Sequence, residues 1–220
     1  MASEVLIKMS NMKKTIAKRF RGFFPVIIDI ETAGFDASKD ALLEIAAVTL
    51  TLNTENHWCI DEVIAKYIKP FEGANLDIAS LEFTGIDPEH PFRKEIAVSE
   101  TDAFNEMFRT IRKKTKDNEC TRAILVGHNA SFDLSFLNAC VERNNIKRNP
   151  FHPFSTFDTA TLAGLAYGQT VLSRAAIAAG LDWNEKEAHS ARYDAEQTAI
   201  LFCEIVNRWN GEIRKPNHSL

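Results

Sequence analysis

What the 220-residue sequence lacks narrows its class. It has only four cysteines, Cys59, Cys120, Cys140 and Cys203, and no C-x-x-C pair among them. Neither a zinc knuckle nor a dithiol redox motif is indicated, and reduced, mostly buried thiols of a cytoplasmic protein are expected. No apolar run approaches the roughly 18–20 residues that cross a bilayer, so no membrane partner is expected. The opening "MASEVLIKMSNMKKTIAKRF" is basic but has no signal-peptide apolar core, and Glu4 and its shortness argue against a transit peptide. There is no internal repeat and no low-complexity segment. There is no basic excess either: 26 Lys and Arg face 30 Asp and Glu, a formal net charge of −4. Overall charge therefore announces no nucleic-acid partner, and only local charge can.

What is present suits one soluble α/β domain, with 45% apolar and 25% charged residues. A basic arm is expected over 1–16, one domain over 17–213 and a tail over 214–220. Strands are expected in "FPVIIDIE", at 43–52 and at 62–70, joined as an antiparallel meander. A short helix is expected over 77–86, and a longer one over 99–116 with Ser99 as its cap. The strand "RAILVGHNA" precedes the helix "SFDLSFLNACVERNN". The run 154–168 reads as a strand entering a helix, "VLSRAAIAAGL" as another helix, and 190–211 as the longest. Early strands and late helices around a mixed sheet make one α/β domain.

Within this frame, "PVIIDIETAG" poses a problem. Val26, Ile28 and Ile30 point to one side of a strand, and Ile27, Asp29 and Glu31 to the other. Apolar residues on both faces imply a central strand, which is costly company for two carboxylates. Asp133 lies on the apolar stripe of its helix, four residues before Leu137, and Asp194 lies between Ala191 and Thr198 on the last helix. Any one of these acids has a structural explanation, a helix-start charge or a salt bridge. Four clustered acids would repel one another, and divalent cations are the simple remedy. Oxygen-only ligation favours Mg²⁺ or Mn²⁺ over zinc, and two such ions about 4 Å apart serve in-line attack at a phosphodiester. His189, just ahead of the last helix, can take a proton from an attacking water at the lip of the cluster. His128 in "GHNASFD" reads as a structural partner beside the cluster, and the other histidines as uninformative.

The segments "DIET", "HNASFD" and "HSARYD" resemble, in that order, the three exonuclease motifs of the histidine-type DEDD superfamily of 3′→5′ exonucleases. The resemblance implies a ribonuclease-H-like fold, a mixed five-stranded sheet flanked by helices, and two Mg²⁺ ions. It implies Asp29, Glu31, Asp133 and Asp194 as ligands. His189 is implied as general base, and is also counted among the candidate metal ligands. A narrower similarity covers about residues 17–210. "FRGFFPVIIDIETAGFDASKDALLEIAA", "KRNPFHPFSTFDTA" and "LFCEIVNRW" resemble the ribonuclease T family, which trims RNA 3′ ends. By that resemblance Phe35, Phe83, Phe132 and Phe154 stack on the last bases of a single strand, although most of the 15 phenylalanines must be core. Relatives tend to carry a glutamate where this chain has Ala79, so the resemblance leaves open whether stalling at terminal cytosines is kept.

Basic residues gather at 8–21, 109–122 and 143–148. Such runs are usually solvated faces, but in a nuclease they follow the phosphate backbone. The family resemblance implies a patch that serves the opposite subunit of a homodimer, here Arg19, Arg21, Lys116, Arg122 and Lys147. The leading expectation is a cytoplasmic, homodimeric, Mg²⁺-dependent 3′→5′ exoribonuclease. It would mature tRNA, rRNA and small stable RNA ends, release nucleoside 5′-monophosphates, and possess potential activity on single-stranded DNA. The alternatives are a DNA-polymerase proofreading exonuclease, a non-catalytic nucleic-acid-binding module, and a structural protein whose acids form salt bridges.

Overall fold

The centre of the molecule is the strand that carries the two anomalous acids. In the computed structural model, which describes residues 16–209, β1 (Phe23–Thr32) lies in the middle of a five-stranded sheet ordered β3-β2-β1-β4-β5. β2 (Leu42–Leu52) pairs antiparallel with β1, and β3 (Trp58–Tyr67) antiparallel with β2. β4 (Arg122–Gly127) runs parallel to β1, and β5 (Phe151–Asp158) parallel to β4. The sheet is therefore mixed, with antiparallel pairing on one side of β1 and parallel pairing on the other. Phe24, Val26, Ile27 and Ile28 are fully buried, as a strand covered on both faces requires.

The helices follow the capping signals in the sequence. A short α1 (Ile16–Arg19) leads into β1, and its Ile16 is buried. The expected arm and tail otherwise lie outside the described residues. Asp77 caps α2 (Ile78–Thr84) by accepting from the Ser80 amide at 2.9 Å, and Gly85 ends that helix in the left-handed conformation. Ser99 caps α4 (Glu100–Asp117) as expected, accepting from the Asp102 amide at 3.1 Å. α5 (Ser131–Arg143), α6 (Thr159–Tyr167), α7 (Leu172–Ala178) and α8 (Ala191–Trp209) complete the layers. Ala103, Phe104, Met107, Phe108 and Ile111 of α4 join the sheet's core, as do Ala195, Ala199, Phe202 and Val206 of α8.

Three expectations need adjustment. The third strand begins at Trp58 rather than 62 and ends at Tyr67, because a tight turn through Asn53–Asn56 returns the chain early. The fourth strand stops at Gly127 rather than 130. The helix α3 (Pro91–Ile96) was not expected, although His90 accepting from the Phe92 amide and Pro91 in the first turn are start signals.

Gly127 shows how closely the layers meet. A Cβ there would stand 2.9 Å from Asp133 Oδ2 and 3.0 Å from the Ala130 Cα. The backbone of Ala130 cannot yield as a flexible side chain could. Gly127→Ala should therefore lower unfolding stability by about 1–3 kcal/mol, the usual cost of overpacking a dense interior. Urea titration measures this, and an unchanged midpoint would show that the α5 start has room to retreat.

Candidate active site

The site lies at the carboxyl end of β1, beside the end of parallel β4, where open α/β sheets place their ligands. β1 supplies Asp29 and Glu31, the first turn of α5 supplies Asp133, and the first turn of α8 supplies Asp194. Glu31 and Asp133 are buried, and Asp29 and Asp194 keep some solvent contact. His189 is exposed two residues before α8, with φ of 64°, a conformation uncommon outside glycine. Its amide donates to Asp194 Oδ2 at 3.2 Å. Ligand atoms of Glu31, His189 and Asp194 lie within 4.8 Å of one another. Asp29 lies outside this closest group but feels the charges of Asp133, Asp194 and Glu31, so the four acids and His189 share one end of the sheet.

The charges are left uncompensated by protein. Among the described residues, no lysine or arginine forms an ion pair with Asp29, Glu31, Asp133 or Asp194. Asp194 Oδ1 is buried and has no hydrogen-bond partner. An orphaned carboxylate oxygen inside an acidic cluster fits a hard divalent cation, which would take just these oxygens. Burial raises every one of the four carboxyl pKa values. For Asp29 the charges of Asp133, Asp194, Glu31 and Glu44 add to burial and hold it well above the carboxylate range. Glu31 is pushed up to about 8, by burial first and then by Asp194, Glu44 and Asp133. Burial also raises Asp133, with Asp158 adding to it, and raises Asp194 against the opposing contacts of His189.

Of the 15 phenylalanines, Phe35, Phe83, Phe92 and Phe154 stand exposed, and three of these are among the four the resemblance selected. Phe35 is 86% exposed on the loop after β1. Gly34 must precede it, because a Cβ there would fall 2.1 Å from Asp40 Oδ2. Asp40 in turn fixes the loop, accepting from the Asp36 amide and from Asn75 Nδ2, each at 2.7 Å. Phe132, next to Asp133, is half-buried between Phe35 and Phe136, with ring centroids 6.1 and 5.1 Å away. Phe83 meets the His189 ring edge-on at 4.8 Å. Phe154 is exposed and packs on His152 at 4.6 Å on the irregular stretch of β5.

Basic residues collect at the opposite end of the sheet. Lys116, Arg122, Arg112 and Arg148 line an open cavity of about 700 Å³ together with Phe23 and His152. Arg21 lies over the Phe23 ring at 5.7 Å and Arg19 over Phe20 at 5.2 Å. Lys147 does not line the cavity and donates to Asn145 instead. Arg112 and Arg148 were visible in the basic runs but not distinguished from their neighbours. His128 has the structural role expected of it, bonding Thr159 Oγ1 at 3.1 Å and the Thr170 carbonyl at 2.8 Å.

Two acids beside the cluster were missed. Glu44 lies directly across the β1–β2 ladder from Glu31, and Asp158 caps α6 while facing Asp133. An acid within the apolar run "LLEIAAVTL" was the available signal for Glu44.

The raised pKa values set a sign for stability. A carboxyl with a higher pKa in the folded state holds protons that the unfolded chain releases, so folding loses ground as pH rises through the interval. For Glu31 that interval runs from the ordinary glutamate value of 4.5 to about 8. In chelator, the melting temperature should therefore fall between about pH 5 and pH 8, and Asp29→Asn should flatten the fall. Differential scanning calorimetry across that range checks it, and a flat or rising wild-type curve would contradict it.

The comparisons with known proteins agree with this geometry. The sequence matches the RNase T family, described as exonuclease, over residues 26–202. It is 59% identical over 197 residues to the ribonuclease T of Hahella chejuensis, covering 90% of this chain and 89% of that one. The fold is shared with solved structures of exonuclease I. The E. coli enzyme in complex with a dT13 oligonucleotide superimposes with a TM-score of 0.65 at 18% identity, over 86% of this chain and 42% of that chain. The enzyme from Methylocaldum szegediense gives 0.63 at 18% identity, over 86% and 41%. The chain thus spans about two-fifths of the length of those solved proteins. Four acids and a histidine gathered at the end of a mixed sheet are accounted for by kinship: the chain belongs to the RNase T family of exonucleases.

Proposed function

We propose that this exonuclease is a 3′→5′ exoribonuclease that trims short single-stranded 3′ ends of tRNA and other stable RNAs. The observation that carries the reading is the set of four uncompensated carboxylates, of which Glu31 and Asp194, the latter with an orphaned oxygen, bring ligand atoms within 4.8 Å of His189. The ribonuclease name of the 59%-identical relative supports RNA as the substrate. Single-stranded DNA ends suit the same aromatic surfaces, since stacking reads no 2′-hydroxyl.

Asp29, Glu31, Asp133 and Asp194 would hold two Mg²⁺ ions, with Mn²⁺ able to substitute. When bound, such ions neutralise the charge that builds on the phosphoryl oxygens during in-line displacement. His189, exposed at the rim and held through its own backbone to Asp194, takes the proton of the attacking water. The new bond joins water oxygen to phosphorus, and the bond from phosphorus to the 3′ oxygen of the penultimate nucleotide breaks. The product is a nucleoside 5′-monophosphate. Phe35, backed by Phe132, and Phe83 beside the imidazole offer flat surfaces to the last bases.

The basic cavity does not serve the same chain's site in this reading. Phe23 at its wall and Asp29 are six residues apart on β1, roughly 20 Å along a strand. A homodimer would set the cavity of one chain beside the acids of the other, with Arg21, Lys116 and Arg122 holding the RNA stem. Phe154, packed on His152 of that cavity, would then serve the stem or its junction.

His189→Ala should lower the single-turnover rate by about 10²–10⁴ with little change in RNA affinity. Phe35→Ala should weaken binding of a two-nucleotide 3′ overhang by roughly 1–3 kcal/mol and leave the melting temperature unchanged. Rapid-quench kinetics and fluorescence titration with a 5′-labelled hairpin separate the two effects. An intact rate in His189→Ala, or cleavage that begins away from the 3′ end, would refute the reading.

A further inference from the structure

Glu44 is a poor choice for stability where it stands. It is buried directly across from Glu31, a like charge on the neighbouring strand, and it adds to the charge crowding Asp29. Its compensation comes from Arg93 on α3, whose Nη1 reaches Glu44 Oε1 at 2.5 Å. Both side chains are nearly sequestered, at 11% and 13% exposure. Arg93 Nη2 also donates to the Leu43 carbonyl at 3.0 Å, so the guanidinium grips side chain and backbone of β2 together. A buried ion pair seldom stabilises a fold more than apolar residues of similar size would, so its location calls for another use.

The free oxygen of Glu44 indicates that use. Glu44 Oε2 accepts from the Ala191 amide at 3.3 Å. Ala191 opens α8, two residues after His189 and three before Asp194. The segment before it is mostly exposed and is anchored to α8 by the Asn184 amide donating to the Tyr193 hydroxyl at 2.6 Å and the His189 amide donating to Asp194. On the other side of the imidazole stands Phe83 of α2, and α2 and α3 are consecutive helices joined by a short loop whose Ile86 is buried. One carboxylate therefore ties down both approaches to His189: the start of α8 directly, and the α2–α3 segment through Arg93.

We infer that Glu44 and Arg93 are positioning residues for His189, their ion pair latching the α2–α3 segment and the start of α8 to β2 so that the imidazole stays between Asp194 and Phe83. The inference rests on the assignment of His189 as the proton acceptor, but the placement of the ring can be read without any reaction.

The test uses Arg93→Ala and Glu44→Gln with two readouts. The first is the NMR shift of the His189 Cε1 proton in metal-free protein without RNA, which feels the ring current of Phe83. Arg93→Ala should move it toward its position in Phe83→Ala. The second is the single-turnover rate on an RNA hairpin with a two-nucleotide 3′ overhang. That rate should fall about 10–100-fold in both variants, the usual effect of losing a residue behind a functional group, while hairpin affinity changes less than about twofold. A cavity of about 310 Å³ lined by Lys69, Pro70, Pro88 and Glu89 borders Arg93 and leaves room for a guanidinium ion. Millimolar guanidinium should therefore restore both readouts in Arg93→Ala and neither in Glu44→Gln. If Arg93→Ala does not fold, Arg93→Lys decides: it keeps the charge, cannot make both bonds, and should shift the same proton by a smaller amount. A His189 resonance unmoved in a folded variant would overturn the inference. So would a full rate in Arg93→Ala. A wild-type protein inactive on RNA would refute the proposed function while leaving the resonance to judge the latch.

Discussion

Repulsion among buried carboxylates governs this molecule. Asp29 and Glu31 stand on the central strand, and Asp133 and Asp194 arrive from helix starts, with Glu44 and Asp158 close behind. No apolar core tolerates that many like charges without protons or cations, and among the described residues no lysine or arginine pairs with the inner four. Much else follows from holding them together. Gly127 lets α5 approach, and Arg93 neutralises Glu44, the acid across the ladder from Glu31. On the proposed reading, a metal-free state destabilised by this repulsion is the cost of keeping those oxygens available to cations.

The two ends of β1 divide the remaining work. Its carboxyl end carries acids, imidazole and the Phe35 and Phe83 rings, which suit a single-stranded terminus. Its amino end carries Phe23 and the arginines and lysines of the open cavity, which suit a phosphate backbone. Neither end alone accounts for trimming of a structured RNA. Their separation along one strand is the physical reason for invoking a second chain.

Much of this was legible in the sequence because burial and charge are incompatible. Asp29, Asp133 and Asp194 were conspicuous as acids on apolar stripes, and two-sided burial of β1 followed from its composition. Glu44 escaped because a single acid in an apolar strand looks like an edge residue until the register sets it opposite Glu31. α3 escaped because six residues give too little periodicity to read. Phe35 was assigned by resemblance and stands exposed on the loop after β1. Phe154 was assigned with the same group by resemblance; its ring is exposed beside His152, a contact that only the path of β5 reveals.

The claim on which the account depends is that the carboxylate cluster exists to bind cations. Electron paramagnetic resonance during Mn²⁺ titration of the RNA-free protein measures this directly. The account predicts saturable loss of the free-ion signal at about two ions per chain, with the exchange-broadened spectrum of a close pair, and failure to reach two in Asp194→Asn. A free-ion signal undiminished at millimolar Mn²⁺, or equal binding by wild type and Asp194→Asn, would contradict it.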